Sequence, residues 1–141
     1  MSNSKYINLT TKPSNNYYTQ NLQSKLLNDN SFTLYIFDTN FYKEIPVSKD
    51  ENKIIENFIS SLDSTNFSDS LPDSSINECF RIKIVFSDSS KYVIKVFNAE
   101  NVSILPWDGT YNEDFINMQN VLLRYNLYDF CTHIASEPSP N

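Results

Sequence analysis

The chain has 141 residues and a formal net charge of −6, a length that suits one domain. That acidity argues against nucleic acid as a general partner, because phosphate binding wants basic surface. No run of about 18 apolar residues occurs, so no transmembrane helix is expected.

Residues 1–16 are polar, contain Pro13 and show no apolar period. They read as a flexible tether. They also lack a charged region followed by an apolar core, the pattern of a secretory signal. Tyr17 to Leu27 is expected to form a short helix with Leu22, Leu26 and Leu27 on one side. Phe32 to Phe37 reads as a strand, Asp38-Thr39-Asn40 as a turn, and Phe41 to Ile45 as the antiparallel partner. Two registers of this hairpin fit equally well.

Ser48-Lys49-Asp50-Glu51 has the form of a capping box, with Ser48 at the N-cap and Glu51 three residues on. Ile54, Ile55, Phe58, Ile59 and Leu62 follow at helical spacing, which predicts a helix over about Lys49 to Leu62. Asp63 to Asn77 is rich in Ser, Asp and Pro and reads as a long loop.

Phe80 to Phe97 is the clearest element, a β-hairpin. Phe80, Ile82, Ile84 and Phe86 alternate with Arg81, Lys83 and Val85, and Tyr92, Ile94 and Val96 alternate with Val93, Lys95 and Phe97. Period-two alternation marks a strand with one buried face. The expected register sets Phe86 opposite Tyr92, Ile84 opposite Ile94 and Ile82 opposite Val96, so inward residues meet inward residues. It also sets Lys83 beside Lys95, with Arg81 and Lys91 near. Like charges directly opposite are unfavourable, so an acidic neighbour is expected there; the other reading of this basic stripe is an anion site.

Val102 to Leu105 is a further short strand. Pro106-Trp107-Asp108-Gly109-Thr110 then turns the chain, with the sole Gly and the sole Trp of the sequence together. Thr110 and Glu113 suggest a second capping box, opening a helix through Phe115, Ile116, Met118, Leu122 and Leu123. Asn126 interrupts it, and Leu127, Phe130, Cys131 and Ile134 continue on one face. The resulting expectation is an α+β fold: an antiparallel sheet in the order β-β-α-β-β-β-α with helices packed on one face. Residues 17–134 form the single domain, and 135–141 a disordered tail.

Four stretches together are similar to a family of small, uncharacterised lipoprotein domains exported by Gram-positive anaerobes. They are Phe37-Asp38-Thr39-Asn40, Lys91-Tyr92-Val93-Ile94-Lys95-Val96, Pro106-Trp107-Asp108-Gly109 and Tyr125-Asn126-Leu127-Tyr128. The likeness spans about Ser31 to Ile134 and contains no catalytic signature. It implies a surface or secreted location. In that light Met1-Ser2-Asn3-Ser4 resembles the start of a mature lipoprotein with Met in place of the lipidated Cys. The expectation is a signal and a lipobox Cys directly before Ser2 in the full gene product, giving an N-terminal lipid anchor; the other reading is an ordinary cytoplasmic N-terminus.

For function, two classes stand against each other. One is a non-enzymatic surface module that binds a ligand, protein or cell-wall component through Trp107, Asp108 and Tyr111, with Arg81, Lys83 and Lys95 as a second contact region. A turn Trp can stack on a sugar ring or dock a peptide; the alternative is a Trp folded back on the core, with Gly109 supplying a positive φ. The other class is a small metal-dependent or acid–base hydrolase using Asp108, Asp129 and His133. Asp129 and His133 are four apart and share a helix face. A single His without further ligands at metal-binding spacing is a poor start for such a site. Glu113 and Asp114, being adjacent, would point to different helix faces. One Gly makes a phosphate-cradling loop implausible, and no cofactor or metal is expected. Cys79 and Cys131 are too few for a four-cysteine zinc site. A disulfide and two buried thiols are both open; the lack of C-x-x-C spacing favours the thiols.

Overall fold

Seven strands make one wholly antiparallel sheet in the computed structural model, which describes residues 12–29, 31–73, 75–109 and 111–137. The strands are β1 Thr33–Asp38, β2 Lys43–Pro46, β3 Phe67–Ser68, β4 Phe80–Val85, β5 Lys91–Val96, β6 Asn101–Pro106 and β7 Asp114–Asn117. Their order across the sheet is β2-β1-β4-β5-β6-β7-β3. Three α-helices are described: α1 Tyr17–Asn28, α2 Lys53–Ser60 and α3 Leu127–Ser136. The α+β class is the expected one; the element order has two more strands and one more helix.

Burial alternates along the strands, for instance Leu34, Ile36 and Asp38 in β1 and Phe80, Ile82 and Ile84 in β4. Leu34, Ile36, Ile82, Ile84, Ile94, Val96, Val102, Ile104 and Ile116 form one cluster with residues of all three helices. All helices therefore cover one face. α1 buries Tyr18, Thr19, Leu22 and Leu26. Leu27, expected to join them, is 77% exposed, because one residue further along a helix is about 100° further round. α2 buries Ile55, Phe58 and Ile59.

The hairpin β4–β5 keeps the expected parity but pairs two residues away from the expected register: Ile84 faces Tyr92, Ile82 faces Ile94 and Phe80 faces Val96. The turn decides this. Phe86 N–H donates to Ser90 O at 2.9 Å and Ser89 N–H to Phe86 O at 2.9 Å. Ser89 closes the three-residue loop with φ 74°, the left-handed residue such loops need. In the first hairpin Asp38 pairs with Lys43. Phe41 and Tyr42, assigned to the partner strand from sequence, instead form an exposed loop in which Tyr42 has φ 51°.

The helix expected from Lys49 begins at Lys53. Lys49–Glu51 is a separate 3₁₀ turn capped by Ser48, whose Oγ accepts from Asp50 N–H at 3.3 Å. The long loop after α2 is not structureless. Asp63 Oδ1 accepts from Thr65 N–H at 2.9 Å while Asn66 Oδ1 accepts from Asp63 N–H at 2.8 Å. Asn66 Nδ2 donates across to Asn117 O at 2.9 Å, and this holds β3 against β7.

The largest difference follows the Trp turn. The expected helix from Glu113 to Leu123 is instead β7, a 3₁₀ turn at Leu123–Tyr125, and then α3. Asp114 and Ile116 point into the core and Phe115 and Asn117 away from it, a period of two. Thr110, the other half of the expected capping box, lies outside the described residues. Asn126 does not break a helix; it starts one, its Oδ1 accepting from Asp129 N–H at 3.0 Å.

Candidate functional site

The turn after β6 separates the three residues singled out there. Trp107 N–H donates to Lys91 O at 3.0 Å, which extends the β5–β6 ladder by one pair, and Gly109 N–H closes on Pro106 O at 3.0 Å. Gly109 has no positive φ. Its requirement is space: a Cβ there would sit 3.0 Å from Pro106 Cγ and 3.1 Å from Tyr18 Oη. Tyr111 turns inward. Its N–H donates to Tyr18 Oη at 2.8 Å, and its ring lies 5.9 Å from Tyr17 and 6.2 Å from Tyr18. Trp107 turns outward and is 59% exposed; it is not folded onto the core.

Trp107 and Asp108 form one wall of an open cleft of about 320 Å³. Lys25 of α1, Ser89 and Ser90 of the hairpin, Lys91 and Tyr92 of β5, and Pro106 complete it. The ammonium of Lys91 lies 5.6 Å from the Trp107 ring centroid. Lys25 Nζ is 2.6 Å from Asp88 Oδ2, and Ser90 Oγ donates to Asp88 Oδ1 at 2.6 Å. Lys25 first, then Ser90, hold the Asp88 carboxyl well below the usual carboxylate range. Burial raises the Tyr92 hydroxyl, so it stays protonated and able to donate.

The basic stripe lies on the sheet face away from the helices. The register places Arg81, not Lys83, opposite Lys95. Each cation has its own carboxylate. Arg81 holds Glu78 through Nε at 2.6 Å and Nη2 at 2.9 Å, Lys83 lies 3.1 Å from Glu44, and Lys95 lies 3.1 Å from Glu113. The bond from Glu78 raises the Arg81 pKa. Glu113 also accepts from Ser103 Oγ at 2.7 Å. Its sequence reading as a helix-capping residue gives way to a role in neutralising the sheet. Among the described residues, Lys91 is the cation of this face that has no carboxylate partner.

The residues of the hydrolase reading have other surroundings. Asp129 and His133 are exposed on α3, and His133 Nε2 lies 3.4 Å from Glu137 Oε2. Asn126, at the start of α3, donates to Ala99 O at 2.9 Å, two residues before β6, whereas Asp108 lies two residues past its other end, so Asp108 is not brought together with Asp129 and His133. Among the described residues no group of three His, Cys, Asp or Glu side chains could hold a metal ion. Cys79 and Cys131 are free thiols, and burial pushes the Cys131 thiol up.

Sequence reasoning found the Trp107–Asp108 half of the cleft from the unusual turn. It missed Lys25, Ser89 and Ser90, which come from elements distant in the chain and carried no local signal. Against known proteins, the family described as "Domain of unknown function (DUF4883)" matches residues 12–131. A crystal structure from Clostridium perfringens, a Gram-positive anaerobe, described provisionally as that of a lipoprotein, has the same fold. It superposes with a TM-score of 0.79 at 27% sequence identity, covering 90% of this chain and 100% of that one. No curated protein matches.

Proposed function

This chain belongs to the DUF4883 family, and from that premise we propose that it is a non-enzymatic binding module anchored by lipid on the outer face of the cell membrane. Its contacts centre on the Trp107–Asp108 cleft. The observation that carries this reading is that Trp107, 59% exposed, stands in the wall of a cleft, whereas the more exposed aromatics Phe41 and Tyr42 line no part of it. A large aromatic held by a rigid strand end, with polar groups beside it, is what a binding spot requires. The similarity to a structure described provisionally as a lipoprotein supports the location. Among the described residues no helix is long and apolar enough to cross a membrane. Tyr111 supports the turn from behind, and the stripe of Arg81, Lys83 and Lys95 is a secondary surface whose charges are already matched.

Two experiments test this. Fractionation of the native source, with labelled fatty acid in the medium, is expected to give a labelled protein in the membrane fraction; an unlabelled protein confined to the cytosol ends the lipoprotein reading. The pure domain is then screened against glycans, peptides and small anions by isothermal titration, a readout that does not depend on its single Trp. Binding is expected to be lost in Trp107→Ala with the circular dichroism unchanged. Binding that survives the substitution removes the cleft from the reading.

A further inference from the structure

We infer that the ligand of the Trp107 cleft is a saccharide carrying a negative group, a phosphate or a carboxylate, with Lys91 as its counter-ion. This rests on the binding reading above and deepens it. The charge inventory of the sheet face points to Lys91. Arg81, Lys83 and Lys95 are each matched by a carboxylate within 3.1 Å. At the cleft itself Lys25 is matched by Asp88 at 2.6 Å. Lys91 has no carboxylate partner among the described residues, and of the described cations without one it is the one that lines the cleft. Its one described partner is the face of Trp107 at 5.6 Å. An exposed cation–π contact is weak beside a charge-assisted hydrogen bond, so an arriving anion can take over the ammonium at little loss.

The remaining lining fits the rest of such a ligand. The indole offers a flat apolar surface for the C–H face of a sugar ring. Asp108, exposed and close in sequence to Trp107, is an acceptor for hydroxyl groups. Ser89 and Ser90 line the same cleft from the hairpin. Ser89 is held there by the left-handed backbone, φ 74°, that the three-residue hairpin loop requires. An apolar peptide would leave Lys91 and Asp108 desolvated without partners, which is unfavourable.

Isothermal titration of the intact domain separates the possibilities. The probes are paired: glucose and N-acetylglucosamine, each neutral and as the 6-phosphate, with glucuronate and inorganic phosphate alone. The charged sugars are expected to bind and to shift Trp107 emission. Neutral sugars and phosphate alone are expected to bind about tenfold or more weakly, the loss of one charge-assisted hydrogen bond or of the ring contact. Lys91→Gln is expected to erase the difference between charged and neutral sugars, and added salt to reduce it. Trp107→Phe weakens both kinds. Neutral sugars binding as tightly as charged ones, or Lys91→Gln without effect, overturns the anionic class while leaving the cleft as the binding place. Binding indifferent to Trp107→Phe overturns the cleft itself. No binding by any sugar overturns this inference and returns the cleft to the peptide and small-anion arms of the wider screen.

Discussion

Asp114 is the buried carboxylate on which the entry of the chain is fastened. It is fully buried and accepts from Lys12 Nζ at 2.6 Å, Thr19 N–H at 2.7 Å and Thr19 Oγ1 at 2.8 Å. Lys12 Nζ also donates to Glu113 O at 2.9 Å. Of the expected tether over residues 1–16, residues 1–11 lie outside the described residues, and Lys12 is fixed to the domain. Removing one partner of a buried pair strands the other's charge. Lys12→Met is therefore expected to cost about 3–5 kcal/mol in denaturant melts, and less when made in an Asp114→Asn background. Equal costs in the two backgrounds would mean that the pair is not coupled. Gly109 is the second position where one atom matters. A methyl group there meets Pro106 and Tyr18 Oη at about 3 Å, and the hydroxyl is the acceptor for Tyr111 N–H. Gly109→Ala is expected to destabilise by about 1–3 kcal/mol, the usual cost of overpacking. Tyr18→Phe should lower that cost in the same melts, since it removes one of the atoms in the way.

At the scale of elements, β4 and β5 rest on residues such as Ile84, fully buried between Leu34 of β1 and Tyr92 of β5. Ile84→Ala is expected to cost about 2–5 kcal/mol; a loss near zero on urea unfolding would put that side chain on the wrong face. Strands β1, β4, β5 and β6, the inward faces of β4 and β5 and the α+β class were legible because alternation is a local signal. The register of β4–β5 was not, because a two-residue slip preserves the alternation and only the Ser89 turn distinguishes the options. β7 was read as helix because Phe115, Ile116 and Met118 suit either period; pairing with β6 and β3, far off in sequence, settles it. The site was half legible for the same reason: Trp107 and Asp108 announce themselves, whereas Lys25 arrives by the packing of α1. That packing has a pH-sensitive pin. Asp29, just past the end of α1, accepts from Ser87 Oγ at 2.7 Å and from Ser31 Oγ at 2.9 Å. Ser87 above all lowers its pKa from 3.8 to about 2. A carboxyl depressed in the folded state stabilises above its unfolded value and loses that contribution as pH falls through the folded one. Stability is thus expected to decline as pH drops from 3.8 towards about 2. Asp29→Asn should flatten part of that decline in circular-dichroism titrations, with Asp88, also lowered, retaining a share. An unchanged slope would show that the pin does not bear on folding.

Over the whole molecule, the two cysteines report on two different kinds of motion. The sheet is crossed by α1, α2 and α3 on one side, and a single cluster joins residues from Tyr18 to Ile134. A core so continuous is expected to open as one cooperative unit. Cys131 sits inside it, fully buried on α3, with its thiol pushed up by desolvation. Thiolate is the reactive form, so Cys131 can be alkylated only when the domain unfolds. Cys79, just before β4, is only half-buried, so its thiol is expected to need no more than local opening. Intact-mass labelling of the native protein is therefore expected to show one fast and one slow modification, and two fast ones in denaturant. The slow rate should rise in Ile84→Ala in proportion to the lost stability, while the fast rate stays constant. A slow rate insensitive to Ile84→Ala would mean that α3 detaches separately from the sheet. A native protein with no alkylatable thiol even in denaturant would show a disulfide in place of the free pair.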